Sequence, residues 1–185
     1  MGRLIMFNLV SLDGFFADRD GGIEWFRTDD ESEEFSVEQM QTAAALVFGR
    51  VTFELMASYW PSDDALRDEP VIAEKMNSLP KTVFSRTLDT VDWSNSEVVK
   101  GDAVEEVVRL KRRVDGNIFL FGSADLAVAL TAAGLFEEYR LLVNPVVLGS
   151  GKPLFKGGQR LDLDLTGARA FAGGNVLLTY TPQGR

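Results

Sequence analysis

The sequence contains no cysteine and no histidine. The first absence excludes disulfides, thiolate metal sites and a cysteine nucleophile. The second removes the Ser-His-Asp arrangement, histidine-bearing zinc sites and any imidazole base. Proton chemistry is therefore left to Asp, Glu, Tyr, Lys or water. Positive charge is also scarce, with 19 Lys+Arg against 28 Asp+Glu and a formal net charge of −9. Nucleic acid and anionic membranes both require a basic face, so neither is an expected partner, although a phosphorylated small molecule needs only a local cluster. No stretch approaches the ~18 apolar residues of a membrane span. The opening MGRLIMFNLVSLDG holds an apolar run too short for a signal peptide, so a cytoplasmic location is the simplest expectation.

What is present is an ordinary globular composition, 45% hydrophobic and 25% charged over 185 residues. That length predicts one domain, residues 1–185, with a full core. The run RLIMFNLVSL, residues 3–12, is apolar on both alternating faces and reads as a central strand covered on both sides. A loop-like stretch with Gly14, Gly21 and Gly22 leads into a predicted helix over residues 33–44, where Phe35, Val37, Met40 and Ala44 fall near helical spacing. Short strands are expected at 45–48, 82–85 and 117–121, and a long one at 139–148. Helices are expected from the turn after Gly49 to about Ser58, at 71–76, from Asp102 to about Val114, and from Ser123 to Gly134. Two further strands near 161–171 and 175–181 close the chain. Strand–helix alternation followed by consecutive strands predicts an α/β fold, a mostly parallel sheet with an antiparallel C-terminal edge and helices on both faces.

Three turns bring strand ends to helix starts. In LVFGRVTFE, residues 46–54, Gly49 lets a phosphate approach a helix N-terminus, Arg50 adds a planar donor fork and Thr52 a hydroxyl. The same turn serves equally as an ordinary connection with a solvated arginine. In TVFSRT, Ser85 and Arg86 stand beyond a strand end, where an extra 2′-phosphate could be held. In IFLFGSADLA, Phe121, Gly122 and Ser123 bring backbone close to a ligand. Three such turns together favour a long ligand carrying several phosphates. Gly149-Ser150-Gly151-Lys152 imitates part of a Walker A loop but has the wrong residues at both ends, and no GxGxxG follows a strand. The acidic run Asp29 to Glu34 suits a solvated helix start, or a carboxylate turned inward beside Trp25 and Phe26 to relay a proton. Asn8, an amide inside an apolar strand, either bonds its neighbours or reads a heterocycle edge.

Taken together, SLDGFFA at 11–17, Trp25, LVFGRVTFE, TVFSR, IFLFGSADLA and LLVNPVVLGSGKPLF at 141–155 resemble the dihydrofolate reductase-like superfamily. Within it the chain is similar to the C-terminal reductase domain of bacterial riboflavin-biosynthesis deaminase-reductases, the RibD C-terminal domain. The resemblance implies an eight-stranded sheet with NADPH bound across the strand ends, and reduction of a small planar heterocycle. It implies cofactor phosphates at Gly49, Arg50 and Thr52, the 2′-phosphate at Ser85 and Arg86, and the pyrophosphate and nicotinamide along Gly122, Ser123 and Leu126, with the bulky Phe121 preceding that turn. Phe16 and Ala17 match a loop that closes over the nicotinamide. Trp25 matches the substrate pocket with Asn8 beside it, and Asp30 falls nearest the catalytic carboxylate, with Asp29, Glu33 and Glu34 as alternatives and Asp13 as a helper on the proton route. A homodimer is the expected assembly and no metal is expected. The family's glycine pair reads Gly122-Ser123 here, and the helix SVEQMQTAA lacks the arginines that bind a ribose phosphate in the riboflavin-type reductases. A pterin-type reductase and a non-catalytic NADP(H)-binding protein of the same fold are the rival readings.

Overall fold

The computed structural model describes residues 1–157 and 160–184. Its strands are β1 (Arg3–Ser11), β2 (Phe15–Ala17), β3 (Ala43–Gly49), β4 (Lys81–Phe84), β5 (Ser96–Val99), β6 (Asn117–Phe121), β7 (Phe136–Asn144), β8 (Lys152–Pro153), β9 (Leu163–Ala170) and β10 (Val176–Pro182). Its helices are α1 (Asp30–Gln41), α2 (Arg50–Tyr59), α3 (Asp63–Asp68), α4 (Pro70–Ser78), α5 (Ala103–Arg113) and α6 (Ala124–Ala132). Eight strands form one sheet in the order β5-β4-β3-β6-β1-β7-β10-β9, while β2 and β8 pair separately. Neighbours from β5 through β7 run parallel, and β10 runs antiparallel to both β7 and β9. This is the expected sheet with its antiparallel C-terminal edge.

β1 lies between β6 and β7, so its apolar run is covered on every side and Leu4, Ile5 and Met6 have no exposed surface. Alternation then sorts the core into two layers. Ile5, Phe7, Leu46, Phe48 and Phe119 meet Met40 of α1, Phe53 of α2 and Ile72 and Met76 of α4. Leu4, Met6, Val47, Ile118 and Leu120 meet Val107 and Leu110 of α5 and Ala127 and Leu130 of α6. The first layer is rich in rings, and Phe121 stacks on both Phe48 and Phe119, with centroids 6.1 and 6.0 Å away. Under β4 the buried Lys81 donates to the carbonyls of Met76, Asn77 and Leu79, closing the C-terminus of α4. Burial pushes its ammonium down to about 8.

Several boundaries differ from the periodicity. α1 begins at Asp30 because Asp29 and Ser32 form a reciprocal capping box, and it ends before Ala43 because that alanine already pairs in β3. β7 starts at Phe136 and stops before Pro145. α3 and the edge strand β5 are extra elements, too short and too exposed to leave an apolar pattern. Ser123 does not cap α6. It sits at φ 53°, in the left-handed region, and its hydroxyl is engaged elsewhere.

Candidate active site

The parallel register brings the ends of β3, β6 and β1 together, pairing Val47 with Leu120 and Phe7 with Phe121. In such sheets the crevice beyond the carboxyl strand ends is where ligands bind. Here it is a cavity of about 470 Å³. Phe7, Phe26 and Phe121 give it a ring-lined wall, and Phe16 and Ala17 of β2 border it.

Two turns form one side and are locked to each other. The Gly49 N–H donates to Ser123 Oγ at 2.8 Å, and the Ser123 N–H donates to Thr52 Oγ1 at 3.0 Å. Ser123 is held in this position by two successive left-handed residues, Gly122 at φ 52° and itself at φ 53°. Only glycine fits at 122, because a Cβ there would stand 2.6 Å from Thr52 Oγ1. The lock leaves α2 and α6 without side-chain caps, so the first-turn N–H groups of both helices remain available beside the cavity. This donor set fits a dinucleotide diphosphate, which takes backbone N–H groups and the positive ends of helix dipoles.

The remaining expected cofactor residues divide. Arg86 is exposed just beyond β4, on the strand whose Phe84 pairs with Gly49. Ser85 Oγ accepts from the N–H groups of Thr87 and Leu88 and shapes the turn that presents Arg86. Arg50 lies back along its own helix against Glu54, 2.8 Å away. Leu126 packs on the core layer under α6 and does not line the cavity.

The substrate residues divide as well. Asn8 borders the cavity with only 4% of its surface exposed, and its Nδ2 finds no acceptor among the described residues. Trp25 is displaced from the cavity wall by its neighbour. Its indole N–H donates to the Gly22 carbonyl, its ring meets Phe26 edge-on at 4.5 Å, and Phe26 takes the place in the wall. That placement depends on two buried amides with no recognisable motif. Asn144 accepts the Arg27 N–H and Asn175 donates to the Arg27 carbonyl, tying the loop down beside Phe26.

The expected carboxylates are not brought to the cavity. Asp30 and Glu33 are exposed on the first turn of α1, and Glu34 is exposed just after it. Asp29 is committed to the cap, accepting from the Ser32 N–H at 2.8 Å and also from the Gly173 N–H. Those bonds, led by the Ser32 N–H, hold its carboxyl below the usual range. Asp13 takes the Ser11 hydroxyl and the N–H groups of Leu148 and Gly149, at 2.7, 3.1 and 2.8 Å. These bonds keep its carboxyl low, the Ser11 hydroxyl first among them, and make Asp13 a staple between two turns. The carboxylates that do border the cavity are Asp20 and Asp125, and Asp125 is paired with Lys156 at 2.8 Å. Nothing in the sequence around Asp20 marked it, because its position follows from the fold of the whole 15–26 segment.

Comparison with known proteins agrees with the fold. The family model described as the RibD C-terminal domain matches residues 3–177. The uncharacterized protein YyaP of Bacillus subtilis (strain 168) is 34% identical over 180 residues, covering 96% of this chain and 94% of that protein. The diaminohydroxyphosphoribosylaminopyrimidine deaminase/5-amino-6-(5-phosphoribosylamino)uracil reductase of Thermotoga maritima superposes with a TM-score of 0.70 at 15% identity, over 98% of this chain and 56% of that one. The dihydrofolate reductase of Enterococcus faecalis, complexed with NADP(H), superposes with a TM-score of 0.66 at 14% identity, over 98% and 96% of the two chains. These two likenesses establish a shared fold.

Proposed function

Because this chain belongs to the RibD C-terminal domain family, we propose that it is an NADPH-dependent reductase of a small planar heterocycle, of the type that reduces 5-amino-6-(5-phosphoribosylamino)uracil. The observation that carries the reading is the interlocked pair of uncapped helix starts opening onto a ring-lined cavity. When bound, NADPH supplies the hydride. The N–H groups of α2 and α6 hold its diphosphate, and Arg86 pairs with the 2′-phosphate. Phe7, Phe26 and Phe121 clamp a flat ring and exclude water. With no histidine in the chain, the proton comes from water held by Asp20. The same proposal has the protein working as a cytoplasmic homodimer on a small-molecule substrate.

One observation favours a second reading, a non-catalytic NADP(H)-binding protein. No carboxylate of α1 reaches the cavity, and the carboxylates that border it lie at its exposed rim. Such a protein binds NADPH without turning over pterins or pyrimidines.

Titration with NADPH and NADH, followed by Trp fluorescence, tests the cofactor. Arg86→Ala removes a charge-assisted bond of roughly 1.5–3 kcal/mol, so NADPH should weaken about 10- to 150-fold while NADH hardly changes. Equal losses for both dinucleotides would show that Arg86 does not read the 2′-phosphate. No binding of either would sink the reductase reading.

A further inference from the structure

The cavity contains a cation that the chemistry above leaves unused. Lys152 borders it from β8, where pairing with β2 sets it against Ala17. Its Nζ rests on Gly21, which carries φ +97°, and a Cβ there would stand 2.8 Å from that nitrogen. The other lysine of the wall, Lys156, is already paired with Asp125. Lys152 is partly buried, and its ammonium makes no hydrogen bond or ion pair among the described residues. Its neighbours offer little compensation. Asp18 Oδ1 is taken up by the N–H groups of Asp20 and Gly22, at 2.9 and 2.7 Å, and the exposed Asp20 makes no ion pair with it.

A second donor in the same cavity also lacks an acceptor, the Nδ2 of the buried Asn8. An unpartnered buried donor is costly, so the Asn8 amide, with the unpaired ammonium of the partly buried Lys152 bordering the same cavity, marks where a ligand's acceptors belong. The cofactor phosphates do not account for them, since the turns at Gly49 and Gly122 form the phosphate cradle and Lys152 stands on the β2–β8 side. The helix α1 supplies no arginine or lysine for an anion.

Resting on the heterocycle-reductase reading, we propose that Lys152 selects a substrate with a negatively charged group, a carboxylate or a phosphate, which its ammonium pairs while the Asn8 amide donates to a ring carbonyl. Lys152 thereby does for this chain what arginines on α1 cannot. A free ammonium at the cavity of an otherwise acidic protein also draws an anionic substrate towards it.

Two matched pairs test this on the protein saturated with NADP⁺: uracil against orotate, and uridine against its 5′-monophosphate. Calorimetry should show the anion of at least one pair binding about 10-fold or more tighter than its neutral partner. The pair that discriminates identifies the group as carboxylate or phosphate. Lys152→Gln should abolish the difference and Lys152→Arg should keep part of it, with NADPH affinity unchanged in both. Lys152 is accessible on a short strand, and thermal melting of the two variants confirms that the fold survives. Equal binding within both pairs, or no binding by any of the four compounds, overturns the proposal. So does an equal loss of NADPH affinity in Lys152→Gln, which would assign the ammonium to the cofactor. If the wild type binds NADPH in any of these outcomes, the cofactor part of the reductase reading survives the failure of this one. If it binds neither dinucleotide, that reading falls first and takes this one with it.

Discussion

The helices α1, α3 and α5 begin beneath the side chains of Asp29, Ser62 and Asp102, each accepting a hydrogen bond from the first turn. The helices α2 and α6 begin bare, at Gly49 and Ser123. The helix α4 also lacks a side-chain cap, but it opens with Pro70, which has no N–H to be capped. The bare starts of α2 and α6 lie at the cavity, which Val51 and Thr52 of α2 and Ser123 and Asp125 of the α6 start border. A side-chain cap contributes about 1 kcal/mol to a helix. Two helices forgo that gain here, and their N–H groups stay free for an anion. At the cavity the bare starts serve binding, where the capped starts of α1, α3 and α5 serve stability.

The comparison breaks most sharply at Gly122. Gly122→Ala forces a Cβ to within 2.6 Å of Thr52 Oγ1 at φ +52°, so the lock between the two bare helices must open. We expect NADPH binding to fall beyond detection in fluorescence titration and stability to drop by about 1–3 kcal/mol in denaturant unfolding. Unchanged NADPH affinity would show that the lock does not form the cradle.

Gly49→Asp inverts the trade. Gly49 is extended, at φ −81°, and a Cβ there meets only Ser123 at 3.4 Å, so aspartate fits and can cap α2. Stability should rise by a few tenths of a kcal/mol. NADPH should weaken about 10-fold or more, because a carboxylate then occupies the phosphate position. A stabilised variant with full affinity would contradict the division.

Asp102→Ala, at a capped start far from the cavity lining, should cost about 0.5–2 kcal/mol in unfolding and leave NADPH binding untouched. The smallest effect is in acid. Asp29 has a lowered folded pKa, so its contribution is complete above the ordinary value of 3.8 and is lost as pH falls through the lowered one. Protection of the Ser32 and Gly173 amides against hydrogen exchange, relative to the intrinsic rate at each pH, should therefore fall as pH drops below 3.8, while the amides at the starts of α2 and α6, which have no carboxylate cap, keep the trend of the unperturbed chain.

Much of the fold was legible residue by residue. The apolar run of β1, the cap at Asp102, the strand–helix turns at Gly49 and Gly122, and the consecutive C-terminal strands each announce themselves within a few positions. The candidate site was legible only where it coincides with those turns. Asp30 and Asp13 carry the right chemistry in plausible places, yet one faces solvent and the other is consumed by backbone donors around residues 148–149. Trp25 was one residue away from the ring that enters the wall, a choice made by Asn144 and Asn175 more than a hundred positions distant.

The sequence by itself determined which of the longer segments become strands and helices, how the sheet alternates its two core layers, and that any proton chemistry proceeds without histidine or cysteine. Those properties depend on side-chain type and local period, which the chain carries wherever it goes. Only the tertiary structure decided which polar groups are spent and which are left over. Ser123 Oγ accepts from the Gly49 N–H, 74 residues away, while Asn8 Nδ2 and Lys152 Nζ are left without partners among the described residues at one cavity. A hydrogen bond is satisfied by whatever folding brings within reach, so the unsatisfied donors that mark a binding site exist only once the chain has closed.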